Sequence, residues 1–380
     1  MNTDASVRLR ADDVERIARE HMMPLLGRDD PGSGVNRDLI KSFSTHGLMS
    51  PFFARQFGGT GDGGVSATLL CQYREGLARV SPQASTALAT QIGGIFVVAR
   101  HATEAVRREW VPKVVSGEVV TALALTEPER GSDVASMTMP AKQVPGGWLL
   151  SGRKVWIMKA PDADIYTVFA RTSGSGARGI TGFLVPKGAI GFSAEPIDSL
   201  WPDRVGNLFF EDVFVPDSHV LGPVDEGFKQ GMAIFDAFRP SVGAHILGIA
   251  RTALDVSVRY ANERRAFGHL ISDFQAVSHL LAEMATRLEA ARLLTYEAAA
   301  AYDKGETARV KSASAMAKLF ASEAGQYIVD SAIQVHGAVA LQKGHVLEHF
   351  YREVRASRIY EGTSQIQREI IARSLLSGHR

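Results

Sequence analysis

The sequence predicts a mainly α-helical protein with a β domain in its middle. We expect an N-terminal α-helical domain over residues 1–120, an antiparallel β-barrel or sandwich over 121–225 and a C-terminal four-helix bundle over 226–380. Apolar residues recur at helical spacing at both ends of the chain, whereas the middle consists of short β-branched and aromatic runs between turn signals. A chain of 380 residues also exceeds what one core usually hosts. No segment between the middle runs is long enough for a crossover helix, so hairpins should connect the strands.

The N-terminal part carries helical periodicity on both sides of a glycine-rich loop. "DDVERIAREHMMPLL" places Val14, Ala18 and Met22 on one helical face, and "QFGGTGDGG" has five glycines in nine residues, typical of a loop. The run "QASTALATQIGGIFVVARH" is nearly uncharged, which predicts a helix that is buried on most sides. Gly93–Gly94 weakens that helix, and either a close ligand or backbone or an ordinary packing contact explains the pair.

Two segments of the middle part could bind a ligand. "ALTEPERGSD" lies where a strand ends, so its turn offers backbone N–H groups and a hydroxyl, although such turns are common on any surface. "KVWIMKA" places Trp156 and Met158 on one strand face and Val155 and Ile157 on the other. A strand tryptophan is usually part of the core, but a flat aromatic ring also suits a planar ligand, and the spacing leaves both interpretations open.

The C-terminal part predicts long helices. "FQAVSHLLAEMATRLEAARLLTYEAAAAY" and "VKSASAMAKLFASEAGQYIVDSAIQVHG" exceed the usual helix length of about 11–12 residues and favour an antiparallel bundle. The segment that begins at residue 226 should form two helices, broken near Arg239–Pro240. Arg264 falls near a helix C-terminus, where the helix dipole favours a cation, and its guanidinium would equally suit a phosphate.

The most informative local pattern is "RIYEGTSQIQREII" near the end of the chain. Ser364 and Gln367 form the pattern of a capping box, which predicts a helix from about Gln365 with Ile366, Ile370 and Ile371 as its buried stripe. Gly362 permits a tight turn just before that helix. Glu361 on this turn is a solvated surface carboxylate by default, and a catalytic base beside a helix N-terminus is the alternative.

Composition and charge exclude several classes of protein. Lys and Arg number 42 against 41 Asp and Glu, so the basic face that nucleic acid or an anionic membrane requires is not expected. The single cysteine, Cys71, excludes an internal disulfide, fits a reducing cytosol and is expected to be buried. The eleven histidines show no ligand spacing, so no metal site is predicted. Charged residues from Arg8 to Glu15 argue against a secretory signal, and together these features predict a soluble cytoplasmic protein.

Taken together, the segments resemble the acyl-CoA dehydrogenase family over essentially the whole chain. The likeness rests on several motifs in the family order, namely "QFGGTGDGG", "ALTEPERGSDVAS", "SGRKVWIMKA", "NLFFEDVFVP", "NERRAFGHLISDFQAVSHLLAEMA", "AKLFASEAG", "IQVHG" and "RIYEGTSQIQREIIAR". The resemblance implies one FAD per subunit, a homotetramer or sometimes a dimer, and α,β-dehydrogenation of an acyl thioester as in fatty acid β-oxidation. It also implies electron transfer to an electron-transfer flavoprotein in most members.

The same resemblance implies roles for individual residues. Glu361 matches the base of the family's "Y-E-G-T" motif, which removes the α-proton while the β-hydride passes to the flavin. The expected FAD-binding residues are Leu125, Thr126, Gly131, Ser132, Trp156, Met158, Arg264, Phe267, Gln275, Thr363 and Gln365, with Gln334 and Gly337 supplied by another subunit. The expected substrate-binding residues are Ser132, Asp236, Arg239 and Tyr360.

Four departures from the family pattern bear on the substrate. Met158 replaces the usual Thr or Ser, and Arg130, which we interpret as solvated, replaces a small residue. "QVHGAVA" lacks two of the expected glycines, and "SLWPDRVGN" is shorter than and unlike the usual "G-x-R-x-S". The thioester is therefore predicted to be an acyl-CoA or an acyl-carrier-protein conjugate. A flavin-dependent oxidase or monooxygenase of the same fold is the alternative, and a non-catalytic flavoprotein or scaffold is a third hypothesis.

Overall fold

A computed structural model of the chain describes residues 9–26 and 34–377. It confirms the predicted order of a helical part, a β part and a second helical part. Arg8, which belongs to the charged N-terminal stretch, lies outside the described residues. Among the described residues, no helix has the length and the apolar character that crossing a membrane requires.

The N-terminal part is helical and is built around one buried helix. Its α-helices are α1 (Ala11–Ile17), α2 (Met23–Leu26), α3 (Arg37–Thr45), α4 (Ala67–Ala78), α5 (Pro82–His101) and α6 (Glu104–Val115), with a π-helical turn over Ala18–Met22. Helix α5 is buried along most of its length, as its lack of charge predicts. A Cβ on Gly94 would stand 2.4 Å from Thr121 Oγ1, so this glycine allows the β domain to approach the helix. A Cβ on Gly93 would meet the ring of Phe238 at 3.5 Å, so ordinary packing explains both glycines.

The middle part consists of two four-stranded sheets that do not close into a barrel. Its strands are β1 (Thr121–Ala124), β2 (Ala141–Val144), β3 (Gly147–Met158), β4 (Ile165–Arg171), β5 (Ile180–Pro186), β6 (Phe192–Ile197), β7 (Val205–Pro216) and β8 (Val220–Leu221). The strand orders are β1-β4-β5-β8 and β2-β3-β7-β6. The pairs are antiparallel as predicted except β1 with β4, which is parallel because the chain passes through the other sheet between them.

The C-terminal part is the predicted helical bundle. It contains α7 (Gly227–Glu263), α8 (Gln275–Asp303), α9 (Thr307–His336), α10 (Val346–Ser357) and α11 (Ser364–Ser377), and a small hairpin of β9 (Arg265–Ala266) and β10 (His269–Leu270) follows α7. The predicted break at Arg239–Pro240 is wrong, because α7 continues through Pro240. Buried residues on both sides of Pro240 pack against α4, α5, α8 and α9, and this packing outweighs the one backbone hydrogen bond that proline cannot form.

Candidate active site

The turn before α11 is held rigidly from both sides. Glu361 has φ of +52°, a backbone conformation that is uncommon for a residue with a side chain, and Gly362 follows with φ of +92°. Gln367 Nε2 donates hydrogen bonds to the carbonyl oxygens of Glu361 and Gly362, at 3.2 and 2.9 Å. Lys318 Nζ donates a third hydrogen bond to the Gly362 carbonyl at 2.7 Å. The backbone around Glu361 is therefore fixed by two buried side chains from neighbouring parts of the bundle.

The predicted capping box, in which Ser364 caps the helix, is wrong. Thr363 Oγ1 accepts the hydrogen bond from the Ile366 N–H at 3.3 Å, so Thr363 caps the helix, which begins at Ser364 and not at Gln365. Ser364 instead donates to Glu323 Oε1 at 2.8 Å. The predicted apolar stripe of α11 is only half-buried, because Ser364 and Gln367 occupy the buried positions of its first turn.

The side chain of Glu361 is half-buried, and its carboxylate is incompletely hydrogen-bonded. Its Oε2 is buried and has no partner among the described residues. Burial raises the pKa of Glu361, and the positive charges of Arg74, Lys318 and Arg239 oppose that rise. The result is a carboxylate that is more basic than one in water and has one oxygen free to accept a proton.

The tip of strand β3 presents an aromatic face beside the turn that follows β1. A register shift between Lys154 and Ile157 interrupts the strand, so the predicted alternation of faces is not kept. Trp156 lies in this bulge with φ of +59° and is 59% exposed, whereas Ile157 is buried. The Val155 N–H donates to the Thr126 carbonyl at 2.9 Å, which joins the bulge to the turn after β1.

The turn "TEPERGSD" is anchored by a buried ion pair. Lys154 Nζ lies 2.9 Å from Glu127 Oε1 and also donates to the Leu125 carbonyl at 3.0 Å. Gly131 and Ser132 are exposed at the tip of the turn. The interpretation of Arg130 as a solvated side chain is wrong, because its Nε donates a hydrogen bond to the Ser136 carbonyl at 3.1 Å. The buried ion pair thus holds a turn whose polar tip is exposed to solvent.

A second group of the predicted residues lies apart, at the end of α7 and the start of α8. Arg264 ends α7, Phe267 forms the β9–β10 turn with φ of +52°, and Gln275 begins α8. Phe267 is 92% exposed, which is unusual for an aromatic residue in a strained backbone conformation. Gln334 and Gly337 lie exposed at the end of α9.

Asp236 and Arg239 form an i, i+3 pair of opposite charges on α7. Their charged atoms are 3.9 Å apart. Asp236 lines a cleft of about 940 Å³, together with Gly61, Asp62, Arg100, Tyr302 and Lys311. Arg239 is largely buried, and its positive charge acts on Glu361. Asp236 thus lines the cleft, whereas Arg239 acts on the carboxylate of Glu361.

Sequence analysis missed a set of polar side chains near Tyr360 and Glu361, namely the buried Arg74 and Glu353 and the half-buried Trp201 and Asp203. Arg74 is 3% exposed, and its positive charge lowers the pKa of both Glu361 and Asp203. Trp201 stacks on Tyr360 with 5.2 Å between the ring centroids. The unusual stretch "SLWPDRVGN" was the only signal of this set, because nothing in the periodicity marks Arg74 or Glu353.

The residues present fit a bound FAD. Trp156 offers an exposed ring above an open polar turn, and Phe267 offers a second exposed ring near Arg264. Both aromatic residues have left-handed backbone conformations, a strain that proteins usually retain where a ligand or partner uses it. These features define an exposed aromatic surface that suits a planar cofactor. Among the described residues, no group of His, Cys, Asp and Glu could hold a metal ion.

Comparison with known proteins identifies the family. The chain matches the N-terminal, middle and C-terminal domains of acyl-CoA dehydrogenase over residues 5–118, 122–213 and 225–376. It is 34% identical to cyclohexane-1-carbonyl-CoA dehydrogenase of Geobacter metallireducens over 99% of this chain and 98% of that protein. It is 38% identical to the caffeyl-CoA reductase-Etf complex subunit CarC of Acetobacterium woodii, with 89% of each covered. The solved FAD complex of PigA superposes with a TM-score of 0.89 at 28% identity and covers 99% of both chains.

The chain therefore belongs to the acyl-CoA dehydrogenase family. It is an oxidoreductase and a flavoprotein that uses FAD, as the motifs predict. The non-catalytic scaffold is thereby the weakest of the three hypotheses.

Proposed function

We propose that the protein catalyses the α,β-dehydrogenation of an acyl thioester with Glu361 as the base that removes the α-proton. The observation that carries this proposal is a carboxylate with a buried, unpartnered oxygen on a turn whose two carbonyl oxygens, those of Glu361 and Gly362, are hydrogen-bonded. A surface carboxylate would need neither the strained backbone nor the buried lysine and glutamine that hold it.

The chemistry explains these requirements. The α-proton of a thioester is too weakly acidic for a carboxylate in water, so the site must raise the basicity of the carboxylate and stabilise the enolate oxygen. Burial of Glu361 provides the first effect. For the second effect, the Glu361 N–H is available as a hydrogen-bond donor to the enolate oxygen, since no acceptor for it is found within the described residues. Tyr360, the residue before the base, stacks on Trp201.

Bound FAD would supply the acceptor for the hydride from the β-carbon. Trp156 and Met158 would pack on its ring system, with Leu125, Thr126, Gly131, Ser132, Thr363 and Gln365 as further contacts. Arg264, Phe267 and Gln275 would hold the phosphate and adenosine end, and Gln334 and Gly337 would complete that site from a second subunit.

On the substrate side, the cleft that Asp236 lines is a suitable path for the thioester arm, with Ser132, Arg239 and Tyr360 as further contacts of the substrate. The arm belongs to coenzyme A or to a carrier protein. We further propose a cytoplasmic homotetramer (or dimer) with an electron-transfer flavoprotein as acceptor, since the related CarC is named as a subunit of an Etf complex. A role in fatty acid β-oxidation depends on the acyl group.

Met158 supports a second candidate function, that of an oxidase or monooxygenase of the same fold. Its thioether is at most a weak hydrogen-bond acceptor, whereas the Thr or Ser usual at this position donates a hydrogen bond. Loss of that donor beside the flavin ring could favour reaction of the reduced enzyme with oxygen.

The first test is anaerobic mixing of the FAD-loaded protein with short acyl thioesters of both CoA and pantetheine, followed by flavin absorbance. Bleaching of the flavin without oxygen is expected. Glu361→Gln should retain FAD but slow bleaching by roughly 10²–10⁴-fold or more, as removal of a general base does. Glu369→Gln, an exposed change on α11, is the matched control and should bleach normally. Unchanged bleaching in Glu361→Gln would refute the base. No bleaching by any thioester, together with oxygen consumption when NAD(P)H is added as the reductant, would favour the second candidate.

A further inference from the structure

Glu127 shows how this protein fixes a buried carboxylate by its own oxygens. Glu127 Oε1 lies 2.9 Å from Lys154 Nζ. The two oxygens also accept hydrogen bonds from the backbone N–H groups of Thr138 and Met139. Burial alone would raise the pKa of Glu127, but the charge of Lys154 and these hydrogen bonds hold that pKa below its usual value. A carboxylate that is fixed in this way is a weak base.

Glu361 is fixed in a different way. No hydrogen bond or ion pair to a described residue holds its carboxylate, whose Oε2 is buried. Burial raises the pKa of Glu361, although three neighbouring cations oppose the rise. Hydrogen bonds to the carboxylate oxygens would lower that pKa and remove the basicity. The position of this carboxylate therefore depends on the backbone that carries it.

The amide of Gln367 on α11 holds that backbone. Gln367 is 0% exposed, and its Nε2 donates hydrogen bonds to the Glu361 carbonyl at 3.2 Å and to the Gly362 carbonyl at 2.9 Å. A glutamine amide nitrogen carries two hydrogens, so both are used here. Because peptide groups are planar, two successive carbonyl oxygens bound to one donor fix the peptide groups that follow Glu361 and Gly362. The left-handed conformation of the turn is thereby kept.

Gly362 and Gln367 are in close contact. A Cβ on Gly362 would lie 2.7 Å from Gln367 Nε2, so the amide reaches the turn only because residue 362 is glycine. Lys318 Nζ donates the third hydrogen bond that the two carbonyls accept, to Gly362 at 2.7 Å. Gln367 thus supplies two of these three hydrogen bonds and, unlike Lys318, brings no charge to the site.

We propose that Gln367 is a positioning residue of the dehydrogenation, which holds the carboxylate and the N–H of Glu361 in their reactive arrangement through the two backbone carbonyls. The carboxylate oxygens are left free for the proton. This inference rests on the proposed function. It assigns the position of the base and its basicity to different side chains, because Gln367 is neutral and the charges that act on the carboxylate belong to three other residues.

The test follows flavin bleaching without oxygen, in single turnovers of the FAD-loaded protein at increasing concentrations of short acyl thioesters of CoA and pantetheine. Gln367→Met nearly keeps the size of the side chain but cannot donate a hydrogen bond. We expect the limiting rate of bleaching to fall on the order of 10²-fold, the effect that a misplacement of about 1 Å can have. FAD content and the half-saturating thioester concentration should stay near those of wild type, since the fully buried Gln367 side chain touches neither ligand.

The pH profile separates a loss of position from a change in basicity. Removal of a neutral amide should lower the plateau of the limiting rate and leave its acid limb at the wild-type pH, because the charges around the base are unchanged. Gln143→Met, an exposed change on β2, is the matched control and should leave plateau and limb unchanged. Gln367→Asn serves if Gln367→Met fails to retain FAD. Its amide is shorter by one carbon and cannot reach both carbonyls, so the plateau should fall as well.

Four results would overturn the proposal. They are an unchanged plateau in Gln367→Met, a change confined to the half-saturating thioester concentration, an acid limb that moves, and loss of FAD from both Gln367 variants. The last result would assign Gln367 to the stability of the fold. Bleaching of the wild-type protein together with an unchanged Gln367→Met plateau would overturn this inference alone, whereas wild-type protein that no thioester bleaches would overturn the dehydrogenation itself.

Discussion

At the scale of single residues, the basicity of Glu361 is set by two opposing effects. Burial raises the pKa of its carboxyl group, while three neighbouring cations lower it. Of these cations, Lys318 is the one that also holds the turn, through its bond to the Gly362 carbonyl at 2.7 Å. The same burial lowers the pKa of Lys318 to about 8, so the lysine remains charged at neutral pH. The charge of Lys318 therefore keeps the base ionised where it works.

This balance predicts the pH dependence of a Lys318→Met variant. The base acts only when it is ionised, so activity falls as pH decreases through the pKa of Glu361. Removal of the lysine charge raises that pKa further, and the acid limb of the kcat/KM profile should move to higher pH. Lys318→Arg keeps the charge and should keep the limb near its wild-type position. An acid limb that is unmoved in Lys318→Met would show that the lysine acts only as a support for the turn.

At the scale of elements, packing between elements determines the structure at the places where local sequence patterns predict it wrongly. Helix α7 passes through Pro240 because its surroundings are buried, and Trp156 stands out because a bulge interrupts β3. Neither outcome follows from the residues of the element alone. The cap of α11 shows the same limit, because Thr363 and Ser364 are both suitable cap residues. Ser364 donates a hydrogen bond to Glu323, which is distant along the chain, and Thr363 caps the helix.

The contact between α5 and β1 gives a prediction at this scale. A Cβ on Gly94 would lie 2.4 Å from Thr121 Oγ1 and 3.0 Å from the Ala122 nitrogen, so Gly94→Ala must push the helix off the strand. Overpacking of this kind costs about 1–3 kcal/mol, which should appear as a lower midpoint of urea unfolding. Gly188→Ala, where no atom lies within 4 Å of the added carbon, is the control and should change stability little. Equal midpoints for the two variants would contradict the close approach.

At the scale of the whole molecule, the sequence predicted the architecture better than the site. Periodicity separates the two helical parts from the β part, and the family motifs locate the turn of Glu361 and the exposed Trp156 and Phe267. The set of polar side chains near Tyr360 and Glu361 escaped prediction because its members come from segments that are distant along the chain. Arg74 and Glu353 are single charges in helices, and only the fold brings them to the same place.

The final prediction concerns how the helical parts are joined. Glu75 on α4 is 1% exposed. Its Oε1 accepts hydrogen bonds from Arg79, at 2.6 Å, and from Arg292 of α8. Its Oε2 accepts a hydrogen bond from the Tyr296 hydroxyl at 2.6 Å. Arg79 in turn reaches Asp12 of α1 at 2.7 Å, so a single carboxylate joins the N-terminal helices to the bundle.

Glu75→Ala should lower the free energy of unfolding by about 3 kcal/mol, the lower end of the range for removing one partner of a buried ion pair. The lower end applies because Arg79 keeps its other partners and the Arg292 side chain, 41% exposed, can turn to solvent. Glu283→Ala breaks an exposed pair with Arg287 and should cost no more than about 0.5 kcal/mol. Urea unfolding of FAD-saturated protein, followed by far-UV circular dichroism, measures both. A loss for Glu75→Ala as small as that of the control would mean that apolar packing alone joins the two parts.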